Sequence, residues 1–268
     1  MFMNLLEGKK GIVIGVANDR SICWGIADEC LKQGAKVAIS YLDITESRVR
    51  DLIDKHENKD NAIAEKCDVS SDESIKSFFE FVKKEFGTID FIVCAPAFCN
   101  KECLKGDYMN VSRGDFLQAM EISVYALTAI CKTFEPILND GGSVITLSYY
   151  GAEKYVQNYN VMGVAKAALE ASVRYLAYDF GKRKIRVNSI SAGPVKTLAA
   201  SAIGEFRKIL EYCENTSPLK SNVSVQEISN TAMYLLSDLS SGITAENIHC
   251  DCGVSSVGLY QQNKADNK

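Results

Sequence analysis

The sequence predicts an α/β fold, a single domain built on a doubly wound parallel sheet of about seven strands with helices on both faces. Short apolar runs rich in valine and isoleucine alternate with longer helical patterns from one end of the chain to the other. This alternation is typical of β-α-β units, whose parallel strands are buried on both faces. Prolines are few and no Ser/Gly-rich linker interrupts the 268 residues, so we expect one domain over residues 1–268.

The first half of the chain contains four predicted strands and three predicted helices. Apolar runs predict strands over 11–15, 36–41, 61–68 and 91–94, with helices over 22–32 and 45–55 between them. The third helix begins near Ser70, where a hydroxyl followed three residues later by Glu73 has the capping-box pattern. Gly87 is expected to end it.

The second half continues the alternation. Helical patterns cover 116–138, 158–180 and 225–236, and apolar runs predict strands over 143–148, 186–191 and 247–250. Residues 197–203 are mostly small, which predicts a short mobile helix there. The polar tail 261–268 is expected to fray.

Charge and hydropathy exclude several classes of protein. The net charge is −4 with a pI near 5.4, and no long basic run is present to neutralise phosphates, so we expect no nucleic-acid partner. The N-terminal residues lack a charged region followed by an apolar one, and no window approaches the roughly 18 apolar residues of a spanning helix. We therefore expect a cytoplasmic protein without membrane contact.

Cysteine and histidine usage predicts neither a metal site nor a hydrolase. The ten cysteines form no Cys-x2-Cys pair and several lie in apolar runs, so free buried thiols are expected. Chelation by Cys250 and Cys252 is the less favoured alternative. His56, expected at a solvated helix end, and His249 give no basis for a Ser-His-Asp or Cys-His enzyme.

A glycine loop in the first β-α unit points to a dinucleotide. Gly15 ends the first strand and Gly25 lies in the following helix. Between them the chain reaches a helix N-terminus, where free backbone N–H groups favour a pyrophosphate. The spacing is not the usual Gly-x-Gly-x-x-Gly, and an ordinary βα turn is the alternative. Its position at the start of a long alternating chain favours a Rossmann-type site.

The ends of the next two strands carry the expected adenosine contacts. A 2′-phosphate would require Arg or Lys where Leu42 and Asp43 stand, so NADH is favoured over NADPH. Two alternatives stay open: Asp43 caps the next helix, and Arg48 accepts the phosphate of NADPH. Asp68 either accepts a hydrogen bond from the adenine amino group or is an ordinary turn residue.

Tyr159 and Lys166 are the predicted working pair. In a helix that begins at Asn158, seven residues make nearly two turns, so the phenol and the ammonium project from one face. The position four before Lys166 is Met162, which neither donates nor accepts a proton at working pH.

Several segments, taken in order, resemble a known family. They are the Gly15 loop with Ser21 and Gly25, residues 147–149, residues 158–163 with Lys166, and residues 191–201. Together they resemble the bacterial enoyl-acyl-carrier-protein reductases of the FabI type, a divergent branch of the short-chain dehydrogenase/reductase superfamily. The resemblance extends from about residue 6 to about residue 258. Pro96 and Cys252 depart from the family pattern.

The resemblance implies an NADH-dependent reduction of the trans-2 double bond of enoyl-acyl-carrier-protein thioesters in type II fatty-acid synthesis. Tyr159 would donate a hydrogen bond to the thioester oxygen, Lys166 would bind the cofactor ribose, and Tyr149 would be a second catalytic tyrosine. The implied cofactor contacts are Gly15, Ser21, Ile22, Asp68, Val69, Ala95, Lys166, Val195 and Thr197. The implied substrate contacts are Ala97, Phe98, Tyr149, Tyr159, Met162, Ala199 and Ile203. The resemblance also implies a short substrate lid over about 195–210.

The resemblance also implies partners. An acidic acyl carrier protein would dock at Arg207 and Lys208, although such a pair is often only a solvated helix face. Family members are commonly homotetramers, which we expect here. Two rival functions are considered: a short-chain dehydrogenase/reductase acting on a carbonyl or alcohol, which would need a tyrosine in place of Met162, and a non-catalytic NAD(H)-binding sensor.

Overall fold

The computed structural model describes residues 4–197, 200 and 203–258. These residues contain one sheet of seven strands in the order β3-β2-β1-β4-β5-β6-β7, and every neighbouring pair is parallel. The strands are β1 (Lys10–Ile14), β2 (Lys36–Tyr41), β3 (Ala62–Lys66), β4 (Ile89–Cys94), β5 (Leu138–Ser148), β6 (Arg186–Ala192) and β7 (Asn247–Cys250). The predicted doubly wound parallel sheet is confirmed, while the single-domain assignment for residues 1–268 stays a prediction.

Helices cover both faces of this sheet because successive strand residues point to opposite sides. The helices are α1 (Ile22–Lys32), α2 (Glu46–Asp54), α3 (Asp72–Phe86), α4 (Arg113–Met120), α5 (Ala126–Phe134), α6 (Asn160–Phe180), α7 (Phe206–Thr216) and α8 (Val225–Leu236). Val13 and Ile39 pack with helices α1, α2 and α8, whereas Ile12 and Ala38 pack with α3, α5 and α6. No helix of the described residues is long and apolar enough to cross a membrane.

The predicted helix over 116–138 is interrupted. It consists of α4, a π-helical turn over Glu121–Tyr125, and α5, which ends at Phe134. A short 3-10 turn containing Pro136 then leads directly into β5 at Leu138. Proline lacks the N–H that would continue the helix, which explains why the helix ends before residue 138.

Other boundaries also differ from the predictions. The N-cap of α3 is Ser71, whose hydroxyl accepts from the Ser74 N–H, and not Ser70, which hydrogen-bonds Asp68. Gly87 ends this helix at φ 73°, as expected. Helix α7 was not predicted at all. Much of the predicted mobile helix over 197–203, and the tail 261–268, lie outside the described residues.

The strand order locates the cleft. The chain reaches the β3 edge through β2, then crosses back to place β4 on the other side of β1. Connections that leave β1 and β4 therefore diverge at their carboxyl ends, which is where doubly wound sheets bind ligands. Gly15 and Ala95 directly follow these two strands, and the Ala95 N–H still donates to Ile14 O at 3.1 Å.

Candidate active site

The turn after β1 is shaped to accept an anion. Gly15 has φ 111°, and a Cβ there would lie 3.1 Å from the Ala95 backbone and 3.2 Å from Cys23 Sγ. The Ser21 hydroxyl closes the turn by accepting from the N–H groups of Ala17 at 3.1 Å and Asn18 at 3.0 Å. Because that hydroxyl does not cap α1, the first amides of the helix are left for a ligand. The turn fits the pyrophosphate of a dinucleotide.

Replacing Gly15 by alanine should therefore weaken NADH binding. A φ of 111° strains any residue with a Cβ, and the free energy of unfolding should fall by about 1–3 kcal/mol. Gly114→Ala is the matched control, since a Cβ there meets no atom closer than 3.9 Å in an exposed helix. Calorimetric NADH titration and denaturant unfolding of both variants give the comparison. Equal NADH affinity in the Gly15 variant and the wild type would contradict this role.

The remaining predicted cofactor contacts meet at the same edge of the sheet. Ser21 and Ile22 begin α1, Asp68 and Val69 follow β3, and Val195 and Thr197 follow β6. The Asp68 carboxylate accepts from both the N–H and the hydroxyl of Ser70, which lower its pKa. A cavity of about 480 Å³ opens beside this edge. Its lining is Asn18, Asp19, Arg20, Arg48, Lys196, Thr197 and Phe206, of which sequence reasoning had singled out only Arg48 and Thr197.

The structure after β2 excludes the alternative in which Asp43 caps the next helix. Asp43 does not cap α2, whose N-cap is Thr45; its carboxylate instead pairs with Lys66 Nζ at 2.6 Å. Both side chains are largely exposed, so this ion pair is weak and a ribose hydroxyl can replace it. Arg48 lines the cavity and makes no ion pair within the described residues, so the alternative in which it accepts the phosphate of NADPH stays open.

Lys166 lies in the first half of α6, almost fully buried. Its ammonium donates to Leu147 O at the end of β5, with Nζ and the oxygen 2.7 Å apart. Burial lowers the pKa of Lys166 to about 8, against the smaller opposing effects of nearby groups that include Glu170. The side chain is therefore charged at neutral pH but close to losing its proton.

Tyr159 and Tyr149 form a buried aromatic pair. Their ring centroids lie 4.8 Å apart at 73°, an edge-to-face contact. Burial raises the pKa of both phenols, and for Tyr159 the neighbouring Tyr149 adds to it, so both stay protonated at neutral pH. Neither hydroxyl makes a hydrogen bond to any described residue.

The predicted start of the helix that carries Tyr159 and Lys166 is wrong, while their role as a working pair stays a prediction. The helix starts at Asn160 and not at Asn158, and Tyr159 is its N-cap with α-type angles, φ −79° and ψ −28°. No hydrogen bond joins the two side chains, and Lys166 is not among the groups that shift the Tyr159 pKa. Asn158, at φ 64°, lies outside the helix.

An apolar cluster surrounds Tyr159 and brings together most of the predicted substrate contacts. Its buried members are Leu104, Tyr159 and Met162, with Cys99, Tyr149, Val156 and Ile203 packed around them. Ala97 and Phe98 are exposed outside the cluster, and Ala199 lies outside the described residues. Sequence reasoning missed Leu104, Cys99 and Val156, which carry no sequence signal beyond being apolar.

Two asparagines beside Tyr159 also escaped prediction. The Asn158 amide donates to Gly204 O at 3.1 Å, and the Asn160 amide donates to Cys103 O at 3.1 Å. Both have positive φ, a region in which asparagine is enriched, so the Asn-Tyr-Asn sequence was the available signal. They attach the start of α6 to the segments on either side of the aromatic pair.

A polar network braces the strand end that carries Leu147. Ser148 donates to the Glu170 carboxylate, and the Asn247 amide reaches the same oxygen at 3.0 Å. Glu153 in turn pairs with His249 Nε2 at 2.7 Å. Burial raises the pKa of Glu170. The network ties β5 to α6 and β7, and therefore fixes the carbonyl that Lys166 contacts.

No metal centre is evident in the part of the chain that the structure describes. All ten cysteines are free, and residues 4–197, 200 and 203–258 contain no group of three His, Cys, Asp or Glu side chains arranged to hold a metal ion. Cys250 and Cys252 are each half-buried, and Cys250 bonds to Thr231 at 3.4 Å.

Comparison with known proteins assigns the family. The family model described as Enoyl-(Acyl carrier protein) reductase matches residues 15–255. The chain belongs to this enoyl-acyl-carrier-protein reductase family. A relative from Rhizobium meliloti, named an NADH-dependent enoyl-acyl-carrier-protein reductase, is 51% identical over 256 residues, which is 95% of this chain and 93% of the relative. A Bacillus subtilis relative with the FabI name is 47% identical, covering 92% and 96%.

Solved structures of the reductase family agree with this assignment. The Anaplasma phagocytophilum reductase in complex with NAD has a TM-score of 0.92 at 50% identity, covering 98% of this chain and 99% of that chain. The Bacillus cereus reductase with NADP+ and an indole naphthyridinone has a TM-score of 0.93 at 46% identity, covering 96% and 100%. The resemblance drawn from the sequence motifs is therefore confirmed.

Proposed function

We propose that this reductase-family protein uses NADH to reduce the trans-2 double bond of enoyl-acyl-carrier-protein thioesters in type II fatty-acid synthesis. The observation that carries the proposal is the Tyr159 hydroxyl, a protonated donor that bonds to no described residue and lies in an apolar cluster beside Tyr149. Relatives that match nearly the whole chain bear this activity in their names.

In this proposal, some residues bind the cofactor and others act on the substrate. NADH, when bound, supplies the hydride for the β-carbon of the enoyl group. Negative charge then develops on the thioester oxygen, and a hydrogen bond from Tyr159 stabilises it. The start of α1 would hold the pyrophosphate and Lys166 the ribose hydroxyls. The apolar surroundings of Tyr159 exclude water, which strengthens its hydrogen bond.

Tyr149 supports Tyr159 in this scheme. Its ring packs edge-on against Tyr159, and its raised pKa keeps it a donor. We assign it to the acyl pocket as the second catalytic tyrosine, together with Met162 and Ile203 from the same cluster. Phe98 and Ala97 would line the pocket from the segment after β4, and Ala199 from the lid.

The two rival functions fit less well. A carbonyl or alcohol oxidoreductase would need a phenol at position 162, where a buried methionine packs against Tyr159. A non-catalytic sensor would not require a protonated Tyr159 hydroxyl that bonds to no described residue, which is the arrangement that a catalytic donor needs.

The deciding assay follows NADH consumption with three substrates. Crotonyl and longer trans-2-enoyl thioesters should be reduced, and a 3-ketoacyl thioester should not. Oxidation of NADH with the ketoacyl thioester alone would contradict this proposal and favour the carbonyl reductase. Binding of NADH without turnover of any thioester would favour the sensor. Repeating the assay with NADPH should give lower kcat/KM, because Leu42 and Asp43 offer no cation to a 2′-phosphate.

Docking of the carrier protein belongs to the same proposal. Arg207 and Lys208 lie in the first turn of α7, where they pair with Glu211 and Glu205 respectively. Such exposed ion pairs contribute little, so an acidic partner can exchange for them at small cost. Their place at the end of the lid segment, just after residues 197–203, supports a docking role.

We further propose a cytosolic homotetramer. Large apolar side chains remain exposed on the outer faces of α4, α6 and the π-helical turn, which suits burial against another copy. They are Leu117 at 60%, Tyr125 at 53%, Val164 at 38%, Tyr175 at 77% and Tyr178 at 86% exposure.

A further inference from the structure

The π-helical turn between α4 and α5 carries a buried serine that the proposed chemistry does not use. Ser123 is 3% exposed and lies in the middle of Glu121–Tyr125. Turns of this kind are rare and, when they occur inside an α-helix, are frequently found at functional sites. The turn packs against α6, the helix that carries Met162 and Lys166.

The Ser123 hydroxyl contacts two parts of the site, the backbone of Phe98 and the side chain of Met162. It accepts from the Phe98 N–H at 3.1 Å and lies 3.3 Å from Phe98 O, towards which it can donate. It also lies 3.8 Å from Met162 Sδ. A hydroxyl has one hydrogen, and the carbonyl is a stronger acceptor than a thioether, so the main bonds go to Phe98.

Phe98 belongs to a strap, residues 95–100, that has no regular secondary structure. The strap is attached at one end by the Ala95 N–H to Ile14 O, at 3.1 Å, and at the other by the Asn100 amide to Asp115, at 2.5 Å. Between these ends, within the described residues, only Ser123 bonds to the strap backbone. The Phe98 ring itself stays 44% exposed.

We propose that Ser123 is a positioning residue that fixes the strap against α6 and thereby sets the width of the acyl pocket between Phe98 and Met162. This inference rests on the proposed function. Removing the hydroxyl leaves the Phe98 N–H without a partner and frees the middle of the strap. The acyl chain then meets a wall that moves, while the pyrophosphate turn and Lys166 are untouched.

The kinetic test compares Ser123→Ala with Ser143→Ala. Ser143 is also buried, at 1% exposure, and its hydroxyl makes one bond, to Leu235 O at 2.8 Å, away from the strap. Loss of one neutral hydrogen bond predicts that Ser123→Ala raises the KM for trans-2-octenoyl-coenzyme A by about 3- to 10-fold, with the KM for NADH changed less than about twofold. Ser143→Ala should change neither KM.

A second variant and a second measurement keep the test decisive. Ser123→Cys conserves volume and leaves no cavity, but a thiol is a weaker donor and acceptor, so its KM should fall between wild type and alanine. Hydrogen exchange of the Phe98 amide should accelerate by about 3- to 10-fold in Ser123→Ala and not in Ser143→Ala.

The outcomes separate the two hypotheses. Wild-type enzyme that consumes no NADH with either crotonyl- or octenoyl-coenzyme A overturns the proposed function, while Phe98 exchange still reports on the strap. Active wild type with matching KM and exchange values in the Ser123 and Ser143 variants overturns the positioning role. A rise in the KM for NADH equal to that for the thioester would mean that Ser123 supports the fold in general.

Discussion

Tyr159→Phe is expected to lower kcat for crotonyl reduction by about 100- to 1000-fold, the usual loss when one donor to a developing oxyanion is removed. Phenylalanine keeps the ring that packs against Tyr149 and Met162 and removes only the hydroxyl. Because that hydroxyl bonds to no described residue, the free energy of unfolding should change by less than about 1 kcal/mol. The Kd for NADH should stay within about twofold, since the hydroxyl serves the substrate.

Three measurements test this expectation: steady-state NADH oxidation, calorimetric NADH binding and denaturant unfolding. Tyr155→Phe is the control, because Tyr155 lies in the same segment but is 84% exposed. A Tyr159 variant with wild-type kcat would mean that the donor is Tyr149 or a water molecule. Tyr149→Phe, measured in parallel, distinguishes these two donors. This variant loses activity if Tyr149 is the donor and keeps it if a water molecule is the donor.

The sequence predicted the sheet well for a physical reason. Strands that are buried on both faces must be continuous apolar runs, and runs such as Phe91-Ile92-Val93-Cys94 have few other uses. Helix interruptions were harder to predict, because the residues of the π-helical turn suit an α-helix equally well. Only the bonds from Ser123 to Phe98, which are distant in sequence, indicate why the turn is widened there.

Burial of polar groups escaped prediction for a similar reason. His56 lies in a polar run, which predicted a solvated helix end, yet the structure buries it edge-on against Trp24 with Nε2 3.1 Å from Asp28. The partners come from α1, and no local pattern reveals them. Cys252, a departure from the family pattern, has φ 57°, the region that favours glycine.

In the candidate site, too, local motifs could be predicted from the sequence and contacts between distant segments could not. Residue types and spacing were enough to predict Tyr149, Tyr159 and Lys166 as site residues, because the family motif is local. Their surroundings come from elsewhere in the chain: Leu104 packs on Tyr159 and Leu147 O receives the Lys166 ammonium. Burial among such surroundings is the main cause of the shifted pKa values of Tyr159 and Lys166, so the electrostatics of the site could not be predicted from the motif alone.

Lys166→Met is expected to weaken NADH binding by about 10- to 100-fold, the usual effect of losing a charged hydrogen-bond donor. Methionine fills the buried space that alanine would leave empty. For the wild type, burial lowers the Lys166 pKa to about 8, so the free enzyme carries the ammonium below that pH and loses it above. The Kd for NADH should therefore rise as the pH passes through about 8, and in the variant this dependence should be absent.

The same pKa shift makes an opposite prediction for stability. The folded pKa lies below the unfolded value, so the unfolded chain binds more protons between about pH 8 and 10.5, and wild-type stability gains from Lys166 as pH rises through that window. At pH 7 the buried charge of Lys166 destabilises the folded state. Lys166→Met should therefore increase the free energy of unfolding by about 1–3 kcal/mol, and this difference should shrink towards pH 10. Lys154→Met, at an exposed position, is the control and should change neither property. A Lys166 variant that is less stable than wild type at pH 7 would mean that the bond to Leu147 O outweighs the desolvation of the ammonium.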